Sequence, residues 1–155
     1  VKRNFARYWL PALAWTGVVL TASGDPFSAQ NTGSILEAVT AFFFGPLPPQ
    51  TFATLHFLVR KSAHFAEYGI LSLMWFRAWR GVRGGFQWRW ALAGIGMALA
   101  TAIPDEVHQS FVPSRGSSGW DVLLDLCGAV AVQVVLWALI RRRVVRADGS
   151  SAAPA

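Results

Sequence analysis

The sequence predicts an all-α, polytopic membrane protein: a four-transmembrane-helix bundle with a short interfacial helix in its first outer loop. Three observations carry this expectation. Hydrophobic residues make up 54% of the 155-residue chain and charged residues only 14%, where a soluble domain carries about 25% charge; the mean hydropathy is +0.38. Apolar runs long enough to cross a bilayer recur along the chain. The eight Trp and eleven Phe suit the two membrane interfaces, where aromatic rings collect.

The same composition excludes other classes. A net charge of +6 is compatible with nucleic acid, but the basic residues sit at the ends of apolar segments and do not alternate with aromatics, so membrane orientation accounts for them and no nucleic-acid partner is expected. The single Cys127 lies in an apolar run and provides neither a disulfide framework nor a thiolate metal site.

In order, residues 1–146 read as one transmembrane domain. Val1 to Arg7 is a basic flank, and residues 8–23 form the first span; the small residues Thr21-Ala22-Ser23-Gly24 also fit a signal-peptide cleavage point, but the retained helix is preferred because later spans need a partner. Gly24 to Gln50 is a connector with turn signals at Asp25-Pro26, Asn31-Thr32-Gly33 and Gly45-Pro46-Leu47-Pro48-Pro49. Within it, Ser34 to Phe44 reads as a short helix with Ser34 as N-cap and Glu37 three residues on, too short to span and ending in Phe42-Phe43-Phe44 at the interface. Thr51 to Arg80 is one helical pattern whose span covers residues 60–80. Residues 81–89 form a basic loop. The third span covers residues 86–104 and is kinked or restarted at Pro104, where Asp105 and Glu106 suit the first turn of a new helix. After a Ser/Gly-rich loop from Pro113, the fourth span covers residues 120–140 and is stopped by Arg141-Arg142-Arg143. Residues 147–155 read as a disordered tail. No internal repeat is visible.

Two polar islands interrupt this apolar background: Arg60-Lys61-Ser62-Ala63-His64-Phe65-Ala66-Glu67-Tyr68, and Asp105-Glu106-Val107-His108-Gln109 continuing through Arg115 to Asp121 and Asp125. Desolvating a charge costs several kcal/mol unless it is paired, so these groups are expected to pair or to bind something. Arg60, His64 and Glu67 or Tyr68 share one helical face. Eleven of the fourteen Lys and Arg fall in the two chain flanks and the stretch from Arg77 to Arg89, which a four-span chain places on one side. That side is expected to be cytoplasmic, with both termini there in the cell membrane and the islands facing outward.

The ordered set Arg60-Lys61-x-x-His64-Phe65-x-Glu67-Tyr68-Gly69, Asp105-Glu106-x-His108-Gln109-x-Phe111, then Arg115, Asp121 and Gly128, resembles the VanZ-like family of small helical membrane proteins. That family takes its name from a protein associated with resistance to the glycopeptide teicoplanin. The resemblance covers residues 60–128 strongly and the first span weakly, and it implies an envelope protein linked to glycopeptide resistance. One departure stands out: Asp125 occupies a position where the family is expected to favour Asn.

Candidate site residues follow from the islands. For chemistry they are His64, Glu67, Asp105, Glu106, Gln109 and Asp121; for substrate contact, Arg60, Lys61, Tyr68, His108 and Arg115. Structural alternatives stand beside each: His64, Glu67 and Arg60 satisfying one another in a helix interface, Asp105 and Glu106 capping a half-helix, His108 exposed at the interface, and Arg115 pairing with Asp121. A buried partner for Glu67 is expected in Arg60 or Arg115. Three function classes fit: an enzyme processing a lipid-linked or cell-wall precursor, a non-catalytic protein that binds such a lipid or a glycopeptide, and a small transporter. His64, Glu67 and Asp105 include donors for a divalent metal, but no spacing is diagnostic and no cofactor is implied.

Overall fold

A computed structural model describes residues 2–22, 29–111 and 118–151, with side chains from 5–22, 32–111 and 118–143. Among the described residues the chain is all-helical: α1 Lys2–Ala22, α2 Ala29–Phe44, α3 Pro49–Arg80, α4 Trp88–Ser110 and α5 Gly119–Ser151. Helix α3 is central and packs against α1, α4 and α5.

Pro49 opens α3 at the position where a missing N–H costs nothing. Gly81, at φ +59°, ends it by donating its N–H to the Arg77 carbonyl at 3.0 Å. At 32 residues the helix is about 48 Å long, well beyond the ~30 Å of a hydrocarbon core. Its first three turns therefore extend past the expected span, and α2 packs there. Thr32 Oγ1 lies 3.3 Å from His56 Nε2, and Gly33 sits against the same ring. This contact corrects the expected start of the second helix. Asn31-Thr32-Gly33 is helical and not a turn, so α2 begins at Ala29 and Ser34 is inside it instead of capping it.

Two further expectations change. Helix α4 runs without interruption through Pro104 to Ser110. Proline removes one backbone hydrogen bond, and the cross-helix bonds made by the next turn hold the helix together. Helix α5 is not stopped by Arg141-Arg142-Arg143 but continues to Ser151, since a run of arginines is a good helix former.

Small residues bring the backbones close. A Cβ on Gly128 would lie 2.2 Å from the Phe65 carbonyl oxygen, and one on Gly94 would lie 2.6 Å from that of Ser72. Glycine is thus required where α5 and α4 cross α3. The core between these helices contains Tyr68, Leu71, Trp75, Ala98, Ala102 and Ala129. Tryptophans expected at the interfaces divide: Trp75 and Trp90 are buried, while Trp88 and Trp120 are exposed. Trp15 Nε1 donates to the Glu67 carbonyl at 3.1 Å and Trp75 Nε1 to Thr16 Oγ1 at 3.2 Å, tying α1 to α3. These indoles have a partner inside the bundle, which is why they leave the interface.

Helix directions sort the charges. α1 and α4 run antiparallel to α3, whereas α5 runs parallel to it, as the pairs Trp9–Trp79, Phe76–Trp90 and Lys61–Asp121 show. Arg7, Arg77, Arg80, Arg83, Arg89 and Arg141 gather at one end, and Lys61, His64, Asp105, Asp121 and Asp125 at the other. Between the ends the outer faces are apolar, with Leu10, Leu13, Leu92, Val135 and Leu139 exposed. Among the described residues, one segment, Gly119–Arg143, is long and apolar enough to cross a membrane by length and composition.

Candidate functional site

The polar end is built on one face of α3. Lys61, His64, Tyr68 and Ser72 recur at helical spacing and meet α5 and α4 in register. Lys61 Nζ forms an ion pair with Asp121. One turn further on both helices, His64 Nδ1 lies 3.5 Å from Asp125 Oδ1, within ion-pair distance but outside hydrogen-bond geometry. Because α3 and α5 are parallel, a four-residue step on one matches a similar step on the other, and the two pairs stack.

Below them Tyr68, fully buried, donates its hydroxyl to Asp105 Oδ2 at 3.0 Å, and Gln109 Nε2 donates to the same oxygen at 2.9 Å. The continuity of α4 through Pro104 makes this possible, because Asp105 and Gln109 are one turn apart on the same helix. Deeper still, Gln133 Nε2 donates to Ser72 Oγ at 2.8 Å and to the Ser72 carbonyl at 3.1 Å. Glu106 turns to the next helix: it accepts the backbone N–H of Ser118, whose Oγ accepts the Trp120 N–H at 3.3 Å. This is a capping box whose carboxylate comes from a neighbouring helix. Asp105 and Glu106 thus do not cap a half-helix of their own. Burial raises the Glu106 carboxyl above the ordinary carboxylate range, opposed in part by the Ser118 N–H.

A cavity of about 320 Å³ opens beside this ladder, lined by Ala53, His56, Phe57, Arg60, Lys61, His64 and Asp121. All but Asp121 come from the first half of α3. Lys61 Nζ also lies 5.4 Å from the centre of the Phe57 ring. Among the described residues Arg60 has no carboxylate partner, so its charge faces the cavity uncompensated, whereas that of Lys61 is matched.

The sequence-derived candidates therefore separate. Arg60, Lys61, His64 and Asp121 come together at the cavity. Tyr68, Asp105 and Gln109 form a buried hydrogen-bonded cluster beneath it. Glu106 anchors the start of α5, and His108 is exposed in the last turn of α4. Glu67 is half-buried, two turns from Arg60; Arg115, with its expected pairings, lies outside the described residues. Among the described residues no group of three His, Cys, Asp or Glu is placed to hold a metal ion.

Sequence reasoning missed His56, Ser72 and Gln133 and left Asp125 without a role. His56 stands one turn before Arg60 and two before His64 on the helical pattern already expected from Thr51, a spacing that was readable but fell outside the expected span of residues 60–80. Gln133, a lone amide in an apolar run, was itself the clue to a buried partner.

The profile of the VanZ/LLP1 family matches residues 8–141. The chain belongs to the VanZ/LLP1 family. Membership extends the resemblance seen in residues 60–128 to the first and last long helices, and it is consistent with a membrane protein linked to glycopeptide resistance. No curated protein and no solved structure matches the chain. In this VanZ/LLP1 chain both polar islands lie inside the matched region, and so do the two close helix crossings at Gly94 and Gly128.

Proposed function

We propose that the chain is a multi-pass protein of the bacterial cell membrane whose cavity binds the anionic headgroup of a lipid-linked or cell-wall precursor. In this reading α1, α3, α4 and α5 cross the bilayer, α2 lies along the outer interface with its exposed Phe42, Phe43 and Phe44, and both termini are cytoplasmic. The gathering of arginines at one end and the apolar outer faces support that topology.

The observation that carries the binding reading is the cavity lined by Arg60, Lys61, His56 and His64. Its volume is that of a small-molecule site, and its groups are donors to phosphate. Binding is favoured over chemistry because the carboxylates are already engaged: Asp105 with Tyr68 and Gln109, Asp121 with Lys61, Glu106 with Ser118. Of these, Asp121 holds the Lys61 ammonium in the cavity wall. A protein that keeps a precursor headgroup at the outer face competes with a glycopeptide for it, which connects the cavity to resistance. His64 beside Asp125 supports a second reading, in which the imidazole takes a proton from a water that attacks the terminal phosphorus of the bound diphosphate, breaking its P–O bond to the remaining lipid phosphate and releasing inorganic phosphate.

The test is binding of a polyprenyl diphosphate to the protein in neutral-lipid nanodiscs. Arg60→Gln removes the uncompensated cation without stranding a described partner, and it is expected to weaken binding by about tenfold or more, the worth of one charge-assisted hydrogen bond, with thermal stability unchanged. The corresponding polyprenol is expected not to bind. Equal binding of polyprenol, or wild-type affinity in Arg60→Gln, would overturn the reading. Release of phosphate during incubation would move the choice to the second.

A further inference from the structure

We propose that the opposite, basic end of the bundle carries a second site, where Arg80 and Arg83 hold the phosphate headgroup of an anionic phospholipid. The inference rests on the membrane reading above but not on the cavity at the polar end.

A cavity of about 500 Å³ lies here, lined by Phe5, Tyr8, Trp9, Ala78, Trp79, Arg80 and the Gly81–Arg83 turn. The two arginines are positioned by the main chain: Arg80 Nε donates to the Arg83 carbonyl at 2.7 Å, and Arg83 Nη1 to the Trp79 carbonyl at 3.5 Å. Each guanidinium keeps further donors for a ligand. Two more guanidiniums, Arg7 and Arg77, lie within 5.6 and 5.8 Å of the centre of the Tyr8 ring, in the wall of the same cavity.

Four guanidiniums gathered around one cavity attract a counter-anion, and none of the described carboxylate side chains lies there. Glu37, Glu67, Asp105, Glu106, Asp121 and Asp125 all lie on α2, midway along α3 or at the polar end, and the described ion pairs are there too. The remaining walls identify the anion as a lipid. Phe5, Trp79 and Val82 are 53%, 42% and 72% exposed, an apolar surface that fits acyl chain and glycerol and has no use for free phosphate. Basic pockets between helices on the cytoplasmic side of a membrane bind such headgroups.

Native mass spectrometry of the full chain, released from nanodiscs containing phosphatidylcholine and phosphatidylglycerol, reads retained lipid directly. Wild type is expected to retain phosphatidylglycerol preferentially, and Arg80→Gln/Arg83→Gln to lose about thirtyfold of that preference. Arg80→Lys/Arg83→Lys, which keeps the charge, is expected to retain most of it and so separates charge from folding. Arg142→Gln/Arg143→Gln, outside the cavity, is expected to behave as wild type. The site is overturned if wild type does not discriminate between the lipids, if the Arg142/Arg143 variant loses as much, or if millimolar inorganic phosphate displaces the lipid. Loss of phosphatidylglycerol retention leaves polyprenyl diphosphate binding at the other end untouched, so the two proposals fail independently.

Discussion

Replacing Gly128 with Ala tests whether the polar ladder depends on the approach of α5 to α3. The new Cβ would start 2.2 Å from the Phe65 carbonyl oxygen, 3.0 Å from its carbonyl carbon and 3.1 Å from its Cα. All three are backbone atoms and cannot rotate away, so reaching ordinary contact near 3.4 Å requires the helices to part by about 1 Å. Such overpacking costs about 1–3 kcal/mol, and a clash between two main chains belongs at the upper end. Alanine also gains about 1 kcal/mol of helix propensity over glycine. Gly96→Ala provides the control, because it makes the same change inside α4 where nothing lies within 4 Å. At this chain size each kcal/mol moves Tm by about 2–4 °C. Thermal unfolding in detergent is therefore expected to place Gly128→Ala about 6–12 °C below Gly96→Ala. The separation also pulls Lys61 from Asp121 and His64 from Asp125, so polyprenyl diphosphate binding should fall in the same variant. Coincident unfolding of the two alanine variants would refute the close crossing.

Three other expectations concern the pairs, the pH response and the topology. Lys61→Gln and Asp121→Asn should each destabilise more than their combination implies, with a coupling of about 0.5–3 kcal/mol in a double-mutant cycle; additive losses would remove the ion pair from the account. Glu106 has a folded-state pKa above its ordinary value, so the folded state holds the proton more tightly than the unfolded one, and stability falls as pH rises from the ordinary carboxylate range through the raised value. Glu106→Gln cannot titrate, so its Tm should lack this fall; parallel Tm profiles for the two proteins would contradict it. In a Cys127→Ser background, needed because the native thiol is exposed, an impermeant thiol reagent should label Ser118→Cys and not Gly84→Cys on intact cells, and the reverse pattern would invert the topology.

The all-helical character, the number of long helices and the two islands that hold the polar end were legible in the sequence. Those properties are local: apolar content, helical periodicity, and charges that are costly to bury and therefore conspicuous. The Arg60–Tyr68 face is readable for the same reason. Element ends were less legible. Pro104 and Asn31-Thr32-Gly33 are local breakers, yet both sit inside helices, because bonds and contacts to α3 outweigh the one backbone bond lost at Pro104 and the roughly 1 kcal/mol of helix propensity lost at Gly33. Function of individual carboxylates was not legible at all. Asp105 and Glu106 are neighbours in sequence, but one turns inward to Tyr68 and Gln109 and the other outward to Ser118. Only the parallel run of α5 beside α3 decided that Lys61 meets Asp121 and His64 meets Asp125, leaving Arg60 to face the cavity. That register rests on Gly128 against Phe65, a contact between residues 63 positions apart, and pairings at such separations follow from packing and not from local pattern.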